Sequence, residues 1–254
     1  MPDSSGRKVV WITGAGKGIG RALAKRLASE GWSVAASART EADLLSLQGE
    51  CVEGGVHVFP LDVTDAEQNQ KTISQIESQM GPLDLVVLNA GTHKANPAET
   101  FSVEAFRVLV ESNLMGPVNG LAPIMARFID RKSGHIAVVG SLAGYRGLPT
   151  ASAYGATKAG LINMCEALKV ELEPHNVRIT LVNPGFVKTP LTDQNPFPMP
   201  FLISVDEAVE QIIRGLNMDR FEITFPKRFS FIMKLLRVLP DPLFFALSRR
   251  IVTP

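Results

Sequence analysis

The chain has 254 residues, 26 Lys and Arg against 25 Asp and Glu, 45% hydrophobic residues and two cysteines, Cys51 and Cys165. This length and apolar content can build a buried core and exclude a chain disordered throughout. A net charge of +1 gives no reason to expect nucleic acid as a partner, and two cysteines exclude a disulfide framework and suit a reducing, cytoplasmic setting.

The first eight residues are polar. The apolar run that follows is too short for a signal sequence or a membrane span, so no targeting segment is expected. Residues 9–13, 33–38, 56–60, 83–88, 135–140 and 178–182 lack polar alternation and read as strands covered on both faces. Between them, segments near 19–30, 41–49, 65–80, 103–131 and 152–173 carry helical periodicity. Ile19, Leu23 and Leu27 share one helix face, and Thr64-Asp65 marks a helix start. This alternation predicts an α/β fold, a doubly wound parallel sheet in a single domain.

After Val182 the pattern changes. Pro184, Pro190, Pro196, Pro198 and Pro200 exclude one regular element over 184–203. A helix is expected over 204–218, with Ser204 or Asp206 near its start, and a last strand over 221–225. Residues 1–225 then form the α/β body of the domain, with 190–220 as an insertion near the carboxyl ends of the strands. Residues 226–254 form a C-terminal extension of the same domain.

Four features carry chemistry. Thr13-Gly14-Ala15-Gly16-Lys17-Gly18-Ile19-Gly20 follows the first strand and opens the first helix. A diphosphate must approach backbone amides at a helix N-terminus, where a Cβ would block it. The glycines at 14, 18 and 20 are spaced GxxxGxG, unlike the GxGxxG fingerprint or a P-loop. Secondly, the second strand ends Ala36-Ser37-Ala38-Arg39-Thr40, with no carboxylate to grip a ribose 2′-hydroxyl. Arg39 and Lys17 instead suit a 2′-phosphate and favour NADP(H) over NAD(H). Thirdly, Tyr154 and Lys158 are four apart on one helix face, where an ammonium could lower the phenol pKa toward acid–base use. Fourthly, Ser141 follows the 135–140 strand, placed to polarise a substrate carbonyl.

Taken with Asn89-Ala90-Gly91, Asn113 and Pro184-Gly185, these motifs stand in the order found in short-chain dehydrogenases/reductases, which the chain resembles over roughly residues 7–190. The resemblance implies a Rossmann-like sheet of about seven strands and hydride transfer between NAD(P) and a carbonyl or alcohol. It implies that Tyr154 is the general acid/base and that Ser141 orients the substrate oxygen. Lys158 would lower the Tyr154 pKa and bind the nicotinamide ribose, and Asn113 would hold a relay water. Asp62, followed by Val63, resembles the residue that bonds the adenine. Asn89, Ala90 and Gly91 would border the cofactor, with Thr189 on the carboxamide beside Pro184, Gly185 and Val187. Leu88 stands where the family usually has a second Asn. A homodimer or homotetramer is implied as well. The Tyr-to-Lys spacing disfavours enoyl reduction. A non-catalytic NADPH-binding sensor or scaffold is the alternative. His57, His93, His135 and His175 show no metal spacing and read as structural or surface residues. Met164, Cys165 and Leu168 read as core or subunit-contact positions.

The C-terminal segment differs in kind. Residues 226–254 hold six bases, Lys227, Arg228, Lys234, Arg237, Arg249 and Arg250, against one acid, Asp241, a net of +5. Within 229–239, Ser230, Lys234 and Arg237 fall at i, i+4 and i+7 as one polar stripe on an otherwise apolar segment. Pro240-Asp241-Pro242 precedes a second apolar segment, and these interruptions argue against a spanning helix. Three readings stay open: helices packed on the body or a second subunit as a hydrophobic cover for the substrate pocket, helices on a membrane surface with cations toward anionic headgroups, or an ordinary structural element. The first two point to a lipophilic substrate.

Overall fold

The structure, a computed structural model, describes residues 6–194 and 198–252. Pro196 lies outside these residues, as does the side chain of Arg250. Seven strands form one parallel sheet in the order β3-β2-β1-β4-β5-β6-β7. They are β1 (Val9–Thr13), β2 (Ser33–Ser37), β3 (Val56–Val58), β4 (Leu85–Leu88), β5 (Gly134–Val139), β6 (Val177–Pro184) and β7 (Glu222–Phe225). Parallel strands need crossovers, and helices supply them on both faces. Val9 and Trp11 point to one layer, built with α3 (Ala66–Met80), α5 (Gly116–Arg131) and α6 (Ser152–Leu172). Val10 and Ile12 point to the other, built with α1 (Gly18–Ser29), α2 (Glu41–Gly49) and α7 (Val205–Asn217). Each large apolar side chain buried this way contributes about 1.5–3 kcal/mol, which is why these strands carry no polar alternation. Trp11 is fully buried, and its indole N–H donates to Ser37 Oγ at 2.9 Å.

Local chemistry sets several boundaries. Asp65 caps α3, its Oδ1 accepting from Gln68 N at 2.9 Å, and Ser204 caps α7 by accepting from Glu207 N at 3.1 Å. The 83–88 run is strand only from Leu85 onward; Leu83 is buried ahead of it, so apolarity there marks burial rather than pairing.

The 103–131 segment is not one helix. It divides into α4 (Val103–Val110), a π turn over Glu111–Met115, and α5. Pro117 supplies the physical reason, since it lacks the amide that would bond the Asn113 carbonyl in an α-helix. The wider turn places Asn113 inside the protein, fully buried.

The C-terminal segment folds as α8 (Lys227–Val238) and α9 (Asp241–Val252). Phe229, Met233 and Leu236 turn inward onto the core, and the polar stripe borders that contact. Ser230 is 3% exposed and donates to Pro226 O, Lys234 Nζ donates to Glu222 Oε2 at 2.5 Å, and Arg237 pairs with Glu166 at 3.7 Å. Met233 joins the core on the same side. On α9, Phe244 is buried beneath the Arg146 guanidinium, 4.4 Å from its ring centroid, and Asp241 pairs with Arg146.

Strand order reverses between β1 and β4, so a crevice opens at the carboxyl ends of the strands. The loops after β1, β4, β5 and β6 all leave the sheet on that side.

Candidate active site

The glycine turn between β1 and α1 is built by close approach. Gly14 has φ +68°, and a Cβ there would stand 2.8 Å from Ala90 Cα and Asn89 Nδ2. A Cβ at Gly20 would stand 2.3 Å from Gly14 O. Asn89 fastens the turn to the end of β4, its side-chain amide donating to Thr13 O at 3.0 Å and Gly14 O at 3.2 Å. Thr13 Oγ1 in return accepts from Asn89 N and Ala90 N. Gly16 faces Asp43 and Ala38, and Gly18, at φ +56°, faces Thr189. The turn therefore meets the loop after β6 directly.

The start of α1 is open to an anion. No side chain caps it, its first turn holds no acid, and Ile19 lies in that turn. Unsatisfied amides at a helix N-terminus and a glycine turn without Cβ atoms fit a dinucleotide diphosphate. Arg39 is exposed and makes no ion pair with any described residue. Lys17 is exposed and pairs with Asp43 at 3.3 Å. Arg21 holds the two segments together, donating to Gly16 O at 3.3 Å and Asp43 O at 2.8 Å. Neither Asp43 nor Arg21 stood out in the sequence, because α2 meets the glycine turn only through the fold.

Asp62 follows Leu61, whose N–H donates at 3.1 Å to the carbonyl of Ala38, the residue before Arg39. Asp62 Oδ1 accepts from Thr64 N at 3.0 Å and Thr64 Oγ1 at 2.9 Å, an Asx turn leading into α3. The Val63 carbonyl accepts from the Asn69 and Asn119 side-chain amides.

Ser141, Tyr154 and Lys158 come together where β5 ends and α6 begins. Ser141 Oγ accepts from Ala143 N at 3.1 Å and stands close enough to the Tyr154 phenol to act on its ionisation. Burial pushes the Tyr154 phenol above its ordinary pKa, and the Ser141 hydroxyl opposes this. Lys158 is 4% exposed, lies 5.7 Å from the Tyr154 ring centroid and donates to Val139 O at 2.9 Å. Its burial brings the ammonium down to about 8. Asn113 binds across to the loop after β4, its Oδ1 accepting from Thr92 N at 2.7 Å and its Nδ2 donating to Thr92 O at 2.8 Å. Gly91 leaves the space between them: a Cβ there would lie 3.2 Å from Asn113 Oδ1 and 3.7 Å from Lys158 Nζ.

His93 was not singled out as a site residue, yet its ring packs edge-on against Tyr154 at 4.8 Å. Its place two residues past Asn89-Ala90-Gly91 was the available signal.

The loop after β6 closes the site. Pro184 ends the strand, and Gly185 N donates to Phe225 O at 2.7 Å. A Cβ at Gly185 would stand 2.8 Å from Phe229 of α8. Val187 is buried and bridges Ile203, and Thr189 is held by Thr192, whose Oγ1 accepts from Thr189 N at 2.9 Å. Phe229 stacks on Phe186 at 5.5 Å and Phe201 at 6.0 Å, so α8 supplies one wall of the loop.

A family model described as short chain dehydrogenase matches residues 8–197. An uncharacterized oxidoreductase of Myxococcus xanthus is 40% identical over 94% of this chain and 96% of its own length. The 3-oxoacyl-[acyl-carrier-protein] reductase of Thermotoga maritima is 34% identical over 84% of both chains. A solved short-chain dehydrogenase from Sphingobium yanoikuyae in complex with NADPH is 23% identical, has a TM-score of 0.79 and covers 92% of this chain and 97% of its own.

Proposed function

The chain belongs to the short-chain dehydrogenase/reductase family, and on that premise we propose that it is an NADP(H)-dependent oxidoreductase acting on the carbonyl or alcohol of a small lipophilic molecule. The carrying observation is the convergence of Ser141, Tyr154 and buried Lys158 beside the open start of α1. Bound nicotinamide would supply or accept the hydride.

The chain's own groups would do the rest. Ser141 and Tyr154 would hold the carbonyl oxygen, and Tyr154 would deliver the proton. Burial holds the phenol in its protonated form, which suits proton donation in the reducing direction. Lys158 would hold the nicotinamide ribose and bring positive charge toward the phenol, with Asn113 placing a relay water. Gly14, Gly16, Gly18, Ile19 and Gly20 would cradle the diphosphate, and Lys17 and Arg39 the 2′-phosphate. Asp62 and Val63 would border the adenine. Asn89, Ala90 and Gly91 would flank the cofactor, and Pro184, Gly185, Val187 and Thr189 would meet its nicotinamide end.

The NADPH complex of the Sphingobium neighbour supports NADP(H), and the name of the Thermotoga relative supports carbonyl reduction. The Phe186, Phe201 and Phe229 stack supports a lipophilic substrate and a covering role for α8. The shared core position of Met233 supports treating 226–254 as an extension of the 1–225 catalytic domain. Exposed Val103 and Val108 on α4 and Val170 on neighbouring α6 support a homodimer or homotetramer. A cytoplasmic enzyme with peripheral membrane contact through 226–254 completes the reading.

NADPH oxidation measured over ketones and aldehydes of graded chain length tests it. Turnover should peak at a longer chain, and Tyr154→Phe should lower kcat about 1000-fold with NADPH affinity nearly unchanged. Full turnover in that variant overturns the mechanism. NADPH binding without turnover of any carbonyl favours a sensor.

A further inference from the structure

Resting on the membrane contact proposed above for 226–254, we propose that the outward face of α8 and α9 docks on the surface of a bilayer containing anionic lipid. The first observation is that α8 leaves an apolar stripe in solvent, although Phe229, Met233 and Leu236 pack inward on the core and Lys234 and Arg237 lie about half exposed at the edge of that contact. Phe231 is 70% exposed, Leu235 52% and Val238 74%, and their i, i+4, i+7 spacing puts them on one face. On α9, Leu243, Phe245 and Leu247 are exposed as well.

The opposite face explains why these side chains stay outside. Met233 and Ser230 are buried, Lys234 is bonded to Glu222, Arg237 to Glu166 and Asp241 to Arg146. Turning the apolar stripe of α8 inward would break its two ion pairs, from Lys234 and Arg237, and expose Met233. The helix is fastened in the orientation that presents apolar surface, the signature of a contact site.

Charge selects the occupant. Lys227 and Arg228 are exposed at the start of α8, and Arg220 lies close enough to act on Lys227. The one acid of 226–254, Asp241, is engaged by Arg146. In a two-fold contact between copies, a patch meets itself, and these cations would face cations. Anionic headgroups supply the opposite charge beside an apolar boundary. Among the described residues no helix is long and apolar enough to cross a membrane, so the contact is with the surface. Phe201 and Leu202 are also exposed, and Phe201 stacks on Phe229, so the docking face adjoins the loop after β6.

Co-sedimentation of the full chain with vesicles tests this. One set is phosphatidylcholine alone, the other an equimolar mixture with phosphatidylglycerol. The protein should pellet with the mixed vesicles at low salt and bind neutral ones at least about tenfold more weakly. Leu235→Glu with Val238→Glu should lower partition about tenfold or more, and Lys227→Gln with Arg228→Gln about tenfold on the anionic set alone. Circular dichroism and an unchanged melting temperature would show both variants folded. Equal partition onto both lipids, undiminished binding of the folded variants, or no pelleting overturns the proposal. So does a Leu235→Glu, Val238→Glu chain that changes oligomeric state in sedimentation velocity without losing vesicle binding; that result assigns the face to a second copy.

Discussion

Helices α6 and α8 each bring a lysine to the body of the protein, in opposite circumstances. Lys158 of α6 lies inside, its ammonium on the Val139 carbonyl, among groups that meet at a crevice. Lys234 of α8 stays at the surface and spends its charge on Glu222. Around Lys158 the anomaly is buried polarity. Around Lys234 it is exposed apolarity, in Phe231, Leu235 and Val238. Both depart from ordinary burial, in opposite directions. Buried polar groups cost free energy unless they are partnered, and α6 retains them where chemistry is proposed. Exposed apolar stripes cost solubility, and α8 retains one where a contact is proposed.

The strongest way to break this comparison is Lys158→Met, a swap of similar length without charge. We expect kcat/KM for carbonyl reduction to fall by about 100-fold or more. Burial holds the Lys158 ammonium down to about 8, so the charged form exists below that pH and is lost above it. Wild-type kcat/KM should therefore decline as pH rises through about 8, and the variant should lack that limb. A variant that keeps the limb would assign it to another group.

Smaller in effect, Met233→Ala should cost about 2–4 kcal/mol in urea unfolding, since a cavity opens beneath α8. Arg39→Asp should shift the preference from NADPH toward NADH by about tenfold, read as the ratio of kcat/KM values; an unchanged ratio removes the 2′-phosphate role. The smallest change is expected at Leu235→Ser, within about 0.5 kcal/mol, because that side chain is already in water. Equal costs at Met233 and Leu235 would erase the distinction between the two faces of α8.

How much was legible follows from how far apart the determining residues lie. The glycine turn and the Tyr154–Lys158 pair are short-range patterns whose spacing survives folding. Six of the seven strands show as apolar runs, and the sheet carries core on both faces. The break in 103–131 was carried by Pro117, a local signal outweighed by apolar periodicity on either side. His93 beside Tyr154, and Asp43 beside Gly16 and Lys17, are contacts between distant segments, and nothing at either end alone announces them.

The amino-acid sequence by itself determined the parallel α/β sheet, the anion-ready start of α1 and the helical register of Tyr154 and Lys158, because each depends on residues a few positions apart. Only the tertiary structure decided which way α8 faces. Its polar stripe was visible in the sequence, but the orientation of the helix depends on Glu166, Glu222 and the space Met233 fills, supplied by other elements. It also decided the Lys158 environment, since burial by the surrounding fold, and not the YxxxK spacing, lowers that ammonium's pKa.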